Sequence, residues 1–210
     1  MISKISKRTF DFTVALTGLI ALSPFLLITA FLVLAIDGRP IIFTQNRVGR
    51  GGRLFPLYKF RTMRNDNREL LITSEGDSRV TAIGHWLRRY KMDELPQLLN
   101  VLKGEMSLVG PRPEVPRFVD LFKEEYDQIL TIRPGVTDPA SIKFRNESAI
   151  MAIHGNNTED VYLEKIMPVK LKYNLDYVRD HNFVGDILLI ANTVAIMFRP
   201  SGKEPDQEML

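Results

Sequence analysis

The longest uncharged stretch of the chain covers residues 12–36 and is almost entirely apolar. As one helix it would be about 37 Å long, enough to cross the roughly 30 Å hydrocarbon core of a bilayer. The stretch is long for a signal peptide, and Leu34-Ala35-Ile36-Asp37 is a poor cleavage site. The pattern therefore predicts a membrane helix near the N-terminus.

A central proline and basic flanks modify this prediction. Pro24 follows Ser23 in the middle of the run, where it removes the helical hydrogen bond to the carbonyl of Ile20. Basic residues flank both ends of the run: Lys4, Lys7 and Arg8 before it, and Arg39, Arg47, Arg50 and Arg53 after it. Because positive charge favours the cytoplasmic side, both ends favour the same side, and we expect a re-entrant helix broken at Ser23-Pro24. A simple span with a proline kink and a buried soluble helix remain as alternatives.

A β-hairpin is predicted over about residues 41–62. Two β-rich runs, at 41–45 and 54–60, flank the strong turn signal Gly49-Arg50-Gly51-Gly52. Lys59 and Arg61 alternate with other residue types and would share one face of the second strand. That face is either solvated or in contact with phosphate.

Helical periodicity dominates after the hairpin. Residues 80–90 form one predicted helix, and a second has an apolar face made by Leu95, Leu98, Leu99 and Leu102. Pro96 fits only the first turn of a helix, so the second helix should begin near Asp93. Residues 65–78 are polar and indicate a loop or a short helix.

The C-terminal third is also helical. A long polar helix over residues 158–179 is interrupted at Pro168, and an amphipathic one covers 183–198. The amphipathic helix either packs on the core or lies on a membrane surface. The fold class is therefore α+β and mainly helical, with a membrane helix at 1–40, a catalytic domain at 41–200 and a flexible tail at 201–210.

An acidic pair lies at the predicted start of the second helix. Asp93 and Glu94 there can simply complement the helix dipole and its free amide groups. The same surroundings also keep a carboxylate ionised, as a nucleophile or a metal ligand requires. Position alone leaves both readings open.

A rigidly held arginine follows in the sequence Gly110-Pro111-Arg112-Pro113. Because the prolines restrict the backbone on each side, the guanidinium of Arg112 is suited to a bidentate contact with phosphate. The alternative is a solvated arginine on a surface loop.

Composition excludes several kinds of site. The chain has no cysteine, so it holds no disulfide, Cys-zinc site or cysteine nucleophile. The three histidines lack metal-ligand spacing, and no Gly-rich phosphate loop or nucleic-acid motif is visible. A formal net charge of +3 favours an acidic partner, and composition alone does not choose between nucleic acid, an anionic lipid and a phosphorylated small molecule.

Several motifs together resemble the bacterial monotopic phosphoglycosyl transferases, also called the bacterial sugar transferase family, in their minimal form. In order they are Lys7-Arg8 with Asp11, Ser23-Pro24, Ile42-Phe43-Thr44-Gln45, Arg47-Val48-Gly49, Tyr58-Lys59-Phe60-Arg61-Thr62-Met63, Leu87-Arg88, Asp93-Glu94-Leu95-Pro96-Gln97-Leu98, Asn100-Val101-Leu102-Lys103-Gly104 and Met106-Ser107-Leu108-Val109-Gly110-Pro111-Arg112-Pro113. Each motif is weak alone, but the ordered set is specific.

The resemblance implies roles for individual residues. Asp93 would be the nucleophile and Glu94 a ligand of Mg²⁺, the expected cofactor. Substrate phosphates would be held by Lys59, Arg61, Arg88, Arg112 and Arg145.

The resemblance also implies the reaction. A sugar 1-phosphate would pass from a UDP-sugar to polyprenyl (undecaprenyl) phosphate with release of UMP, at the cytoplasmic face of a bacterial inner membrane with both termini cytoplasmic. A lipid-linked glycosyltransferase that releases UDP and a non-catalytic membrane adaptor are the alternatives. No nucleic-acid partner is expected, and a homodimer through the 183–198 stripe is compatible with the pattern.

One segment departs from the family pattern. Many members carry a Gly-Trp-Ala-Gln type sequence where this chain has Asp138-Pro139-Ala140-Ser141. We interpret this as a subgroup difference that leaves the donor sugar open and the reaction class unchanged.

Overall fold

A computed structural model describes residues 4–64, 76–145, 147, 151 and 158–197 of the chain. The fold is α+β and mainly helical, as predicted. The predicted tail at 201–210 and most of the polar segment at 65–78 lie outside the described residues.

The N-terminal helix α1 covers Lys4–Asp37 as one continuous element that includes Pro24. The hydroxyl of Ser23 donates to the carbonyl of Ile20 at 2.8 Å, which is the carbonyl that proline leaves without its amide partner. Because this hydrogen bond replaces the lost one, the helix is not interrupted, and the expected break in secondary structure at Ser23-Pro24 is wrong.

Helix α1 contacts the rest of the protein through both of its halves. Asp11 and Ala15 are buried in the first half, and Thr29 and Val33 in the second, whereas residues 20–24 are all exposed. By length and composition, the stretch Ser6–Asp37 could cross a membrane.

The predicted β-hairpin is confirmed. Strand β1 (Ile42–Val48) pairs antiparallel with β2 (Leu54–Phe60), with Ile42 opposite Phe60. The short 3₁₀ turn Arg50–Gly52 joins them, and Gly51 there adopts a left-handed conformation with φ 69°.

Two short helices follow, separated by a tight turn. Helix α2 covers Ala82–Arg89, and its N-terminus is capped by the side chain of Thr81. A 3₁₀ turn at Met92–Glu94 precedes helix α3, Gln97–Lys103. The predicted start of this helix near Asp93 is therefore wrong, because the amides of residues 94 and 95 bond to carbonyls three residues back rather than four.

Two arginines connect α1 to the domain by donating to helix C-termini. Arg8 donates to the carbonyls of Val101 and Leu102 at the end of α3, at 2.7 and 3.0 Å. Arg61 donates to the carbonyls of Asp37, Gly38 and Arg39 at the end of α1. Both contacts satisfy carbonyls that a helix leaves without partners.

A small parallel sheet lies beside α3. It pairs β3 (Ser107–Val109) with β4 (Gly135–Thr137). A Cβ atom on Gly135 would lie 2.1 Å from the amide nitrogen of Gly110, so this approach of two backbones requires glycine.

The remaining helices build the second half of the domain. They are α4 (Pro116–Leu121), α5 (Lys123–Ile129), α6 (Pro139–Lys143), α7 (Thr158–Val161), a π-helical turn (Tyr162–Ile166), α8 (Met167–Asp180) and α9 (Phe183–Met197). Pro168 lies in the first turn of α8, which agrees with the predicted interruption. One apolar core lies among α4 to α8, and a second joins α1, α3, the sheets and α9.

Helix α9 packs on the core through only one side. Leu189 and Ile190 join the core that contains Phe10 of α1, whereas Val184 and Leu188 are more than half exposed. The predicted homodimer contact would involve this outer face, and the homodimer stays a prediction.

Candidate active site

The acidic pair lies in the turn between α2 and α3. Asp93 and Glu94 are both buried, although each belongs to a polar residue type that normally faces water. Lys91, which begins the turn, has a left-handed backbone with φ 54°. A non-glycine residue in this conformation indicates a locally constrained turn, and such turns are frequent at functional sites.

Two cations bind the carboxylate of Glu94. Lys59 Nζ lies 2.8 Å from Oε1, and the guanidinium of Arg112 contacts both oxygens, with Nη1 3.1 Å from Oε2. Burial alone would raise the pKa of Glu94, but the charges of Arg112 and Lys59 outweigh it and hold that pKa well below its usual value. Glu94 is therefore ionised in the folded protein.

Asp93 has the opposite electrostatic environment. Its Oδ1 is buried and has no hydrogen-bond partner within the described part of the chain. Burial and the neighbouring charge of Glu94 raise the pKa of Asp93, and Lys59, Lys91 and Arg88 only partly oppose this. Asp93 lies before helix α3 and inside the domain, so burial dominates its electrostatic environment. The site shifts the pKa values of two adjacent carboxylates in opposite directions, which is typical of catalytic pairs.

The loop that carries Arg112 is held in place from below. Arg47 donates to the carbonyl of Pro113 and to Oε2 of Glu114, both at 3.2 Å. Tyr162 of the π-helical turn donates to the other oxygen of Glu114 at 3.1 Å. These contacts fix the loop, and the carboxylate of Glu94 raises the pKa of Arg112, which stays charged.

Arg88 reaches the same site from α2. Its Nε donates to Thr62 Oγ1 at 2.9 Å. Burial lowers the pKa of Arg88, and the charges of Asp93 and Glu94 oppose this lowering, which indicates that the guanidinium lies near the carboxylate pair. The structure therefore brings together four of the residues that the sequence indicated, besides Glu94: Lys59, Arg88, Asp93 and Arg112.

Arg61 lies apart from them. Its guanidinium is buried and donates to the three carbonyls at the end of α1, so the structure places it in a capping role rather than beside Glu94. Arg145 follows α6 and is partly buried, and the cations whose charges act most on Asp93 and Glu94 do not include it.

Lys91 is a candidate site residue that sequence reasoning did not select. It is exposed, and its charge lowers the pKa of both Asp93 and Glu94. The signal was present in the sequence, as a basic residue two positions before the acidic pair. Its left-handed backbone conformation could not be predicted.

The segment that departs from the family pattern has a structural role. Asp138 is completely buried and caps α6, with the amide and hydroxyl of Ser141 donating to it at 2.6 and 2.9 Å. Burial raises the pKa of Asp138, and its charge supports that of Arg112. Both residues follow strands of the parallel sheet, so the sheet places this carboxylate near the site.

The residues fit a magnesium ion in part. Adjacent carboxylates are the oxygen donors that Mg²⁺ prefers, and Asp93 has a buried oxygen without a partner. The described residues contain no cluster of three or more His, Asp or Glu side chains. A magnesium ion here would therefore take its other ligands from substrate phosphates and water, as is usual for Mg²⁺ in phosphoryl-transfer sites.

Known proteins resemble this chain over most of its length. The family model of the bacterial sugar transferases matches residues 2–200. The undecaprenyl-phosphate glucose phosphotransferase of Komagataeibacter xylinus is 38% identical over 90% of this chain and 35% of its own length. The UDP-N-acetylgalactosamine-undecaprenyl-phosphate N-acetylgalactosaminephosphotransferase of Aeromonas hydrophila is 35% identical over 90% of this chain and 42% of its own length. The exopolysaccharide production protein ExoY of Sinorhizobium fredii is 32% identical over 92% of this chain and 85% of its own length.

The chain therefore belongs to the bacterial sugar transferase family. It spans less than half the length of the first two of these relatives.

Proposed function

We propose that the protein transfers a sugar 1-phosphate from a UDP-sugar to undecaprenyl phosphate, and so starts the assembly of a surface glycoconjugate. The observation that carries the proposal is the buried carboxylate pair, in which Glu94 is bound by two cations while Asp93 keeps an oxygen without a partner. Two of the relatives are named as undecaprenyl-phosphate sugar phosphotransferases, which supports the acceptor and the group transferred.

The reaction has two displacement steps. A carboxylate oxygen of Asp93 attacks the phosphorus that bears the sugar, the bond from that phosphorus to the oxygen of UMP breaks, and a sugar-phosphoryl aspartate forms. A phosphate oxygen of the lipid acceptor then attacks the same phosphorus, and the bond to Asp93 breaks. The products are UMP and undecaprenyl diphosphate sugar, and the carboxylate of Asp93 is restored.

The environment of Asp93 suits this role. Because its pKa is raised, the carboxylate is a stronger nucleophile than an ordinary aspartate once it is ionised.

The cations of the site offset the charge of the reactants. Asp93 and both substrates are anionic, so their approach is repulsive. Arg112 is held rigidly and Lys91 is exposed, and both can contact phosphate oxygens as the substrate enters. A magnesium ion bound by Glu94 would supply further positive charge at the leaving phosphate.

The two-sided packing of α1 supports a re-entrant position in the membrane. The first half of α1 is bound to α3 through Arg8, and the second half is bound to the same domain through Asp37 and Arg61. Since one domain holds both halves, we expect both ends of the helix on one side of the bilayer. We propose that residues 20–24, which are exposed all round, are the part that lies deepest in the inner membrane, with the domain on the cytoplasmic face.

The function is tested by measuring which nucleotide is released. The purified chain is incubated with Mg²⁺, undecaprenyl phosphate and a panel of UDP-sugars, beside the variant Asp93→Asn. We expect UMP from at least one donor and none from the variant. UDP would identify a lipid-linked glycosyltransferase instead, and the absence of both nucleotides with every donor would favour the membrane adaptor.

A further inference from the structure

Three aromatic rings connect the membrane helix to the catalytic turn. Phe25 of α1 lies 6.5 Å from Trp86 of α2, and Trp86 lies 5.5 Å from Tyr90, measured between ring centroids. Trp86 and Tyr90 are four residues apart and share one face at the end of α2. Trp86 is 46% exposed, which is unusual for the largest apolar side chain and leaves much of its ring open to a ligand.

The position of these rings follows from how α2 and α3 lie along α1. Thr81, at the start of α2, bonds to Asp37 at 2.7 Å, and Trp86 near its end reaches Phe25. Leu98, the second residue of helix α3, lies beside Gly18. It ends beside Arg8.

The turn that carries Asp93 therefore faces the middle of α1. There, residues 20–24 are all exposed, although α1 packs against the domain both before and after them in the sequence. The exposed residues 20–24 therefore lie beside the turn at Met92–Glu94, and the contact of Phe25 with Trp86 places the three rings next to them.

The polarity of the surface changes within a few residues of these rings. Phe25, Trp86 and Tyr90 provide an apolar surface, and Lys91 follows Tyr90 directly with an exposed charge. Asp93 comes two residues later. This sequence of surfaces matches a ligand with an apolar chain and an anionic head group.

We propose that Phe25, Trp86 and Tyr90 form the seat for the first isoprene units of the lipid acceptor, with its phosphate at Lys91 and Asp93. This inference rests on the proposed function and names the subsite through which the acceptor reaches the nucleophile. Flat aromatic faces suit the planar double bonds of an isoprenoid chain, and apolar contact with them removes the chain from water. The seat aligns the acceptor phosphate with the phosphorus on Asp93 for the second displacement.

The competing explanation is that Trp86 only anchors the protein in the membrane interface. Tryptophan and tyrosine are enriched at that depth, where their rings lie among the head groups. An anchor would respond to any bilayer lipid, whereas the proposed seat requires an isoprenoid chain joined to a phosphate. Binding and kinetics therefore separate the two roles.

Trp86 is the only tryptophan of the chain, so its fluorescence reports on this position alone. The full chain in phosphatidylcholine nanodiscs is titrated with undecaprenyl phosphate or with phosphatidic acid. We expect a saturable change in emission with undecaprenyl phosphate and none with phosphatidic acid. Equal changes with both lipids, or no saturable change, would overturn the proposal.

Kinetics of variants provide the second test. Trp86→Ala should raise the KM for undecaprenyl phosphate about tenfold and leave the KM for the UDP-sugar unchanged, and Trp86→Phe should restore most of the loss. Leu121→Ala is the control, since Leu121 is an exposed apolar residue on α4, far along the chain from the rings. Weaker binding of Trp86→Ala to nanodiscs with an unchanged acceptor KM would identify an anchor.

Failure of this inference can be told apart from failure of the proposed function. The fluorescence titration needs no turnover. Saturable binding of undecaprenyl phosphate without release of UMP would support the lipid seat and contradict the proposed reaction. A chain that releases UMP without any response of Trp86 would keep the reaction and lose the seat.

Discussion

Arg112 and Glu94 form a two-point ion pair, in which Nη1 of the guanidinium donates to Oε2 and Nη2 donates to Oε1. Oε1 also accepts a hydrogen bond from Lys59. The pair places a charged fork at the same turn that carries Asp93. Because Arg112 is itself partly exposed, it can exchange some of its contacts with Glu94 for contacts with a substrate phosphate.

Replacing Arg112 should reduce catalysis through geometry as well as charge. We expect Arg112→Ala to lower kcat/KM for the UDP-sugar by about a thousandfold, and Arg112→Lys by about a hundredfold, because lysine keeps the charge but loses the fork. UMP release at varied donor concentration measures both. Arg117→Ala, which removes an exposed ion pair with Glu159, is the matched control and should stay near wild type.

The two carboxylates should have opposite effects on stability. The pKa of Asp93 is higher in the folded protein than in the unfolded chain, so ionised Asp93 destabilises the fold at neutral pH. Asp93→Asn should therefore raise the free energy of unfolding there. That gain should disappear in acid, below the pKa of the unfolded aspartate.

Glu94 has the reverse sign, since its folded pKa is depressed. Its stabilisation is present above the unfolded pKa and is lost as the pH falls through the folded one. Glu94→Gln should lower the free energy of unfolding at neutral pH by about 2–3 kcal/mol, because two partly buried cations lose their partner. Denaturant unfolding of both variants tests the pair, and equal signs would contradict this account.

Lys91 should influence the acid side of the activity profile. Its charge lowers the pKa of Asp93, so removing it should move the loss of activity on acidification to higher pH. We choose Lys91→Asn, since asparagine tolerates the left-handed backbone at this position. A pH profile of kcat/KM measures the shift, with Lys123→Asn as the control because Lys123 forms an exposed pair within α5.

Arg61 should affect folding rather than substrate binding. Arg61→Ala leaves three carbonyls at the end of α1 without donors and should cost about 2–3 kcal/mol. The protein that remains folded should bind the UDP-sugar with an unchanged KM. A raised donor KM with normal stability would instead support the phosphate-binding role suggested by the sequence.

The membrane position of α1 can be mapped with single cysteines, because the chain has none of its own. Cysteines at Ser6 and Arg53 should both react with an impermeant reagent only from the cytoplasmic side. Adding Pro24→Ala should straighten the helix, move part of the Ser6 population to the other side and lower activity. Full activity with both labels still cytoplasmic would contradict a topological role for Pro24.

Local patterns predicted the elements of this fold well, because each depends on neighbours in the chain. The hairpin follows from two β-rich runs around Gly49-Arg50-Gly51-Gly52, and the predicted interruption at Pro168 coincides with the first turn of α8. The continuity of α1 through Pro24 depended on one hydroxyl contact of Ser23, which a residue pattern does not contain.

Contacts between residues distant in the chain determine the site features that sequence patterns did not predict. Lys59 and Arg61 have the same strand parity and the same charge, yet one binds Glu94 and the other caps α1. Only the packing of α1 against the hairpin separates them. The opposite pKa shifts of Asp93 and Glu94 likewise depend on which cations reach the turn from β2 and from the loop around Arg112.

The reciprocal caps made by Arg8 and Arg61 have a consequence for how the protein responds to its surroundings. Each arginine joins one end of α1 to the domain that carries the acidic turn. A change in bilayer thickness that tilts or bends α1 should therefore shift the position of that turn. Lipid composition should thus alter the rate of turnover through the position of α1, without any lipid touching the carboxylates.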